Sequence, residues 1–292
     1  MTSAAKRALL GLLSVGALCA VSRAQEVVAV VSSAPGPYQA AFDSFQKDFG
    51  RAVVSYRLPR EKPAIGRETR VVLAFGGEAV LSPYPKGATL IACLAPGLPA
   101  RSPHGGAFAL VSMKPPPATL LAQLKKIQPG MKRLAVLWNP GNAAGYLTEL
   151  RGVAAAQAID VVAVEVSGPG DIPDALRTRL AGADALWLGP DPRLITPGTF
   201  QTIRQFSWDN HVPFYVPTPG LAAAGAAASV SVAPAEMGRQ VAELARRALS
   251  GETLPETVYP DTAELTVNPA SAAKAGLRLG PEALARADRV LP

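Results

Sequence analysis

The chain has 292 residues, 49% of them hydrophobic and 17% charged, which is enough apolar material for two cores rather than one. Its formal net charge of +7 is spread over pairs such as Lys125-Lys126, Lys132-Arg133 and Arg246-Arg247, which read as solvated helix ends rather than a nucleic-acid footprint. Two histidines and two cysteines, none at metal-ligand spacing, argue against zinc and against an internal disulfide framework.

Lys6 and Arg7 precede an apolar run over residues 8–21, and Ser22-Arg23-Ala24 places small side chains at the −3 and −1 positions of a cut before Gln25. A charged start, a short apolar centre and a small-residue exit form a secretory leader, too short to span a bilayer comfortably. The expectation is export to the periplasm with cleavage between Ala24 and Gln25. Leu18 before Cys19 disfavours lipid attachment. Removing 24 of the 292 residues leaves 268, and the loss of Lys6, Arg7 and Arg23 lowers the charge from +7 to +4. Cys93 is then the one mature thiol, at the end of an apolar run, where it reads as buried and inert.

Downstream, β-branched runs alternate with helical periods. Strands are predicted over residues 27–31, 52–56, 71–75, 89–93 and 108–112. Tyr38, Phe42, Phe45 and Phe49 fall on one helical face, with Gly50 as the stop. Lys114-Pro115-Pro116-Pro117 closes this half, because prolines cannot continue a ladder. A second series follows. Leu120, Leu121, Leu124 and Ile127 make a helix face, and strands are predicted over 134–138, 161–166, 185–188, 214–216 and 228–232. Helical segments carry Leu147, Leu150 and Ala154, then Ile172, Leu176 and Leu180, then Phe200 and Ile203. Strand–helix–strand units of this kind imply right-handed crossovers and parallel sheets. The fold class is α/β, with two Rossmann-like, doubly wound parallel-sheet lobes. A further amphipathic helix carries Met237, Val241, Leu244 and Ala248 on its apolar face.

In open α/β sheets ligands bind beyond the carboxyl ends of the strands. Here those ends are Ser32-Ser33, Gly76-Gly77-Glu78, Ala95-Pro96-Gly97, Asn139-Pro140-Gly141-Asn142, Gly189-Pro190-Asp191 and Pro217-Thr218. Each is also an ordinary turn sequence; together they line a cleft. Asn139 reads either as a helix cap or as a ligand contact. Asp191 reads either as a turn stabiliser or as a carboxylate for a ligand ammonium group. Glu78 suits the first turn of a helix, where the dipole favours an acid. No Gly-x-Ser-x-Gly elbow, Walker loop, paired metal carboxylates or dinucleotide fingerprint stands at a strand–helix junction. A hydrolase built on Ser32 or Ser33 with His211 therefore has little support, and no enzymatic role or cofactor is expected.

The runs Lys132-Arg133-Leu134-Ala135-Val136-Leu137-Trp138-Asn139-Pro140, Ala183-Asp184-Ala185-Leu186-Trp187-Leu188-Gly189-Pro190-Asp191 and Val212-Pro213-Phe214-Tyr215-Val216 resemble the second lobe of the ABC-transporter substrate-binding family of the tryptophan/tyrosine type. The same family is matched by Ala226-Ala227-Ala228-Ser229-Val230-Ser231-Val232 with Glu236-Met237-Gly238-Arg239-Gln240, and by the tail from Glu264 to Leu277. That resemblance implies a type I periplasmic-binding-protein fold with a central ligand cleft and three crossing segments. One lobe would be 25–113 plus 234–257 and the other 114–233 plus 258–292. It implies ligand contacts at Asn139, Asp191 and Thr218; the candidates Ser32, Ser33, Gly76, Gly77 and Glu78 of the first lobe come from their places at strand ends. It further implies a monomeric, non-catalytic receptor that delivers a small solute, amino acids first, to the membrane permease of an ABC importer, without nucleic acid. The alternative is a binding-protein-like sensor or accessory module acting on a membrane partner. The first lobe departs from the family pattern: Gly76-Gly77-Glu78-Ala79 replaces a Thr-Pro-Ala-Ala-like turn, and Ala95-Pro96 replaces an Asp-Pro pair.

Overall fold

The computed structural model describes residues 25–32, 36–98, 102–140 and 144–292. The leader and its cleavage site, together with Ser33 and Asn142, lie outside the described residues. In chain order the elements are β1 (Val27–Val31), α1 (Pro37–Phe49), β2 (Val54–Arg57), β3 (Val71–Phe75), α2 (Gly77–Leu81), β4 (Thr89–Cys93) and β5 (Phe108–Val111). Next come α3 (Pro117–Ile127), β6 (Arg133–Trp138), α4 (Ala144–Ala155), β7 (Asp160–Glu165), α5 (Ile172–Arg179) and β8 (Ala185–Leu188). They are followed by α6 (Pro197–Asn210), β9 (Phe214–Val216), α7 (Pro219–Ala223) and β10 (Ala228–Ser231). The chain ends with α8 (Pro234–Leu249), β11 (Thr257–Val258), β12 (Glu264–Val267), α9 (Pro269–Lys274), α10 (Pro281–Ala285) and β13 (Arg289–Val290).

Two sheets organise these elements, in the orders β11-β5-β4-β3-β1-β2 and β13-β12-β10-β9-β8-β6-β7. The inner strands β1, β3 and β8 are apolar and buried at every position because both faces are covered. In β3, Val71, Leu73 and Phe75 enter the core that α1 and α8 share, while Val72 and Ala74 enter the opposite core. In β8, Ala185 and Trp187 face α3 and α4, whereas Leu186 and Leu188 face α5 and α6. This alternation on strands buried from both sides fixes register, since a one-residue slip would exchange the two cores.

The chain passes between the sheets three times: after β5, after β10 and after β11. Helix α8 follows the second-sheet strand β10 yet packs on α1 and the first sheet, with Met237, Val241, Leu244 and Ala245 in the same core as Phe42 and Phe45. Gly50 ends α1 in the left-handed conformation, as its position predicts, and its N–H donates to the Gln46 carbonyl at 3.3 Å. One departure from a wholly parallel arrangement is β12, which runs antiparallel to β10, with Val267 opposite Ala228 and Leu265 opposite Val230. Cys93 is fully buried, and burial pushes its thiol far above the ordinary range.

Candidate functional site

The second-lobe strand ends converge as expected for an open α/β sheet. Trp138 and Asn139 close β6, and Gly189, Pro190 and Asp191 follow β8. Together with Lys114, Val136, Leu137, Tyr146, Leu147, Trp187 and Leu194 they line a narrow hollow. Its free volume is about 20 Å³, room for little more than one water. A second hollow beside it is lined by Ala95, Pro96, Gly97 and Leu98 from the first lobe and shares Lys114 and Pro190. The lobes therefore meet through the Ala95–Leu98 loop on one side and the Gly189–Pro192 loop on the other.

Asn139 is buried, and its Nδ2 donates to the carbonyls of Val166 at 3.3 Å and Ser167 at 3.1 Å, tying the end of β6 to the end of β7. Asp191 is buried at the mouth of the hollow. Arg193 donates to its Oδ1 from the backbone N–H at 3.0 Å and from Nε at 3.2 Å, and to its Oδ2 from a terminal nitrogen at 3.1 Å. This is a turn closed by its own side chain and doubled by a bidentate ion pair.

Lys114 stands on the first crossing segment. Ser112 holds its backbone: the Lys114 N–H donates to Ser112 Oγ at 3.0 Å, and Ser112 Oγ donates to the Lys114 carbonyl at 3.2 Å. Pro115, Pro116 and Pro117 then fix the backbone beyond it, and Tyr146 Oη donates to the Pro115 carbonyl at 3.0 Å. The ammonium lies over the Tyr146 ring, 5.4 Å from its centroid. Burial lowers the Lys114 pKa, and the negative charge of Asp191 opposes that shift. Tyr146 in turn packs against Trp187, with ring centroids 5.5 Å apart, and against Tyr259 at 5.9 Å. Burial, with Glu149 adding to it, pushes Tyr259 up to about 12.

Of the residues predicted to line the cleft, Asn139 and Asp191 lie at the hollow; Ser32, Gly76, Gly77, Glu78 and Thr218 line neither hollow. Ser32 instead joins β1 to α2, its Oγ accepting from the Ala79 N–H at 3.2 Å. Gly76 is held beside it at φ +103°, where an added Cβ would lie 2.5 Å from Ser32 Oγ. Glu78 occupies the first turn of α2 and is exposed. Thr218 caps α7, accepting from the Leu221 N–H at 3.4 Å. His211 closes α6 in the left-handed conformation, in the other lobe from Ser32. The residues that sequence reasoning passed over are Lys114, Tyr146, Trp138 and Trp187. The signal for Lys114 was its place directly before three prolines on a lobe boundary.

Two α/β lobes that the chain crosses three times, with strand ends meeting at a cleft, define a type I periplasmic-binding-protein fold. Residues 119–291 match the family model of the ABC transporter substrate binding protein, and the chain belongs to that family. It is a family of binding proteins rather than of enzymes. No curated protein matches the chain. Among solved structures, the chain resembles an ABC domain in complex with L-Trp from Streptococcus pneumonia at TM-score 0.61 and 14% identity, covering 91% of this chain and 100% of that one. A conserved domain protein from Vibrio cholerae O1 biovar El Tor is similar at TM-score 0.61 and 17% identity, with 91% and 100% covered. The ligand-free, open form of a substrate binding protein with adhesive properties from Clostridium difficile matches at TM-score 0.61 and 14% identity, with 91% and 99% covered.

Proposed function

We propose that this chain is the periplasmic solute-binding component of an ABC importer. In this reading residues 1–24 are a leader cut before Gln25. The lobes are 25–113 plus 234–257 and 114–233 plus 258–292. A small solute is enclosed between them, and its higher affinity for the closed arrangement drives closure. The observation that carries this reading is the hollow where the carboxyl ends of β6 and β8 meet the first crossing segment, in a chain of this family. Its apolar walls and few polar groups suit a small organic molecule. Because the free volume is close to that of one water, the walls part to admit solute and close again over it.

Amino acids are the first class to test, since one structural neighbour carries L-Trp. A thermal-shift screen of the mature protein against amino acids and other small solutes is the direct experiment. A ligand at a hundred times its Kd adds about 2.7 kcal/mol of stability. Silence across the whole library would remove the transport reading in favour of a sensor or accessory module. Mass spectrometry of the exported protein checks the leader, with Gln25 expected as the first residue.

A further inference from the structure

We propose that Trp138 and Trp187 select the solute: their indole N–H groups receive an oxygen acceptor carried on a small apolar molecule, whether a carboxylate, an amide or a ketone. This rests on the solute-binding reading and specifies its chemistry. Both indoles line the hollow at the ends of β6 and β8. Both Nε1 atoms are buried, and among the described residues neither has a hydrogen-bond partner. Buried N–H groups in folded proteins are almost always paired, because an unmet donor forfeits the bonds that water would give it. These two donors are unmet at a place where the fold leaves space beside them.

Strand register brings the two rings together. Val136 of β6 pairs with Trp187 of β8, so Trp138, two residues further along β6, lies on the same face of the sheet, one step nearer its carboxyl end. Trp138 packs there against the cluster that holds Trp187, Tyr146 and Leu147. The Trp187 ring extends to the strand end, where its Cη2 lies 3.5 Å from the position of a Cβ on Gly189. Tyr146 packs against the same ring with centroids 5.5 Å apart, which sets its direction before solute arrives. A carbonyl or carboxylate oxygen has two lone pairs and accepts from two N–H groups at once. An indole nitrogen only donates, so a group that can only donate, such as an ammonium, finds no partner in either N–H. Tyr146, Leu147 and Leu194 supply an apolar wall for the rest of the molecule.

Trp208 supplies the contrast. Its Nε1 is also buried without a partner among the described residues, but it lines neither hollow. Its ring lies under the Lys274 ammonium at 4.4 Å and the Arg204 guanidinium at 5.1 Å. A solute in the hollow therefore meets two of the three indoles of the chain.

The indole N–H signals in the magnetic resonance spectrum of the isotope-labelled mature protein read this directly, assigned through Trp138→Phe, Trp187→Phe and Trp208→Phe. The probes are 3-phenylpropanoate, 3-phenylpropanamide and 4-phenyl-2-butanone, which carry an acceptor, and 3-phenylpropylamine, which does not. A second set has a branched aliphatic body in place of the ring. Acceptor probes are expected to move the Trp138 and Trp187 signals downfield and leave Trp208 in place, while the amines move none. In a Trp208→Phe background, the two lining tryptophans are then replaced biosynthetically by 3-benzothienylalanine, whose sulfur stands where the N–H was in a ring of the same shape. Acceptor probes should bind that protein at least about tenfold more weakly, the loss of hydrogen bonds with apolar packing retained.

Binding that leaves both signals in place overturns the proposal. So does full affinity for acceptor probes in the benzothienyl protein, or an amine that binds as tightly as its acid. A wider solute library is read by the same two signals. A library solute that binds without an oxygen acceptor overturns the proposal too, yet leaves the solute-binding reading standing. Silence from every probe and the whole library takes both down.

Discussion

Gly97 of the first lobe faces Pro192 of the second so closely that a Cβ built on Gly97 would lie 2.9 Å from Pro192 Cδ and 3.4 Å from Asp191 Oδ1. Two loops from different sheets thus approach to within one methyl group, directly beside the two hollows. The approach is possible because Gly97 has no side chain and takes φ +80°. The close approach of the two loops depends on that glycine.

Gly97→Ala should therefore weaken solute binding by about tenfold, the cost expected of one methyl group forced into a close contact. The left-handed backbone strains alanine in the open and closed arrangements alike, so the loss of affinity reports the contact across the lobes. Pro192→Ala removes the opposing ring atoms and should recover part of the affinity in the double variant. Isothermal titration gives the coupling, and small-angle scattering at saturating solute should show a larger radius for Gly97→Ala alone. Equal affinities in all four proteins would show that these loops part freely.

A second close approach holds the first lobe together. A Cβ on Gly238 of α8 would lie 2.0 Å from the Ala41 carbonyl oxygen and 3.0 Å from the Phe45 N–H nitrogen, both backbone atoms of α1. Backbone cannot swing aside as a flexible side chain does. Gly238→Ala should push the helices apart and disturb the stack of Phe42, Phe45 and Phe49, with centroids 6.1 and 5.1 Å apart. The expected loss is about 1–3 kcal/mol in urea unfolding, despite alanine's better helix propensity. A gain in stability would mean that α8 has room to shift.

Asn139→Ala leaves the carbonyls of Val166 and Ser167 without their buried donor. A loss of about 1–3 kcal/mol follows from unmade hydrogen bonds of this kind. Asn139→Asp should be worse, because a carboxylate would face two carbonyl oxygens. Urea midpoints of the three proteins check the order. If the aspartate variant matches the native protein, the amide donors contribute little.

Strands buried on both faces, such as Val71–Phe75 and Thr89–Cys93, are legible in the sequence because their apolar runs are continuous and β-branched. So is the amphipathic face of α8, although its return to the first lobe is not, since periodicity records a face and not its partner. The direction of β12 is equally hidden. Glu264-Leu265-Thr266-Val267 would read alike in either orientation, and its antiparallel pairing with β10 follows from the chain's third crossing. At the site, small and polar residues at strand ends marked the region but not its contacts. The contacts of Ser32 with the Ala79 N–H and of Asp191 with Arg193 could not be read from those turn sequences. Lys114 was obscured because a lysine before three prolines looks like a linker. Its place in the cleft comes from how β5 hands the chain over to the second lobe.

That lysine makes stability depend on pH in a direction opposite to a paired surface lysine. Burial lowers its pKa in the folded protein, and the attraction of Asp191 offsets that only in part. In the unfolded chain the group titrates near about 10.4. Below the folded value both states carry the proton, and the full cost of burying the ammonium is present. Between the lowered folded value and about 10.4 the unfolded chain binds more protons, so the protein gains stability as pH rises through that window. Lys114→Met removes the titration while keeping an unbranched apolar stem. Without solute, the variant should be more stable than the native protein at pH 7, and the difference should shrink as pH approaches 10. Urea unfolding of both proteins across that range measures it. A variant less stable at pH 7 would show that Asp191 outweighs burial, and a difference that stays constant with pH would show that Lys114 titrates alike in both states.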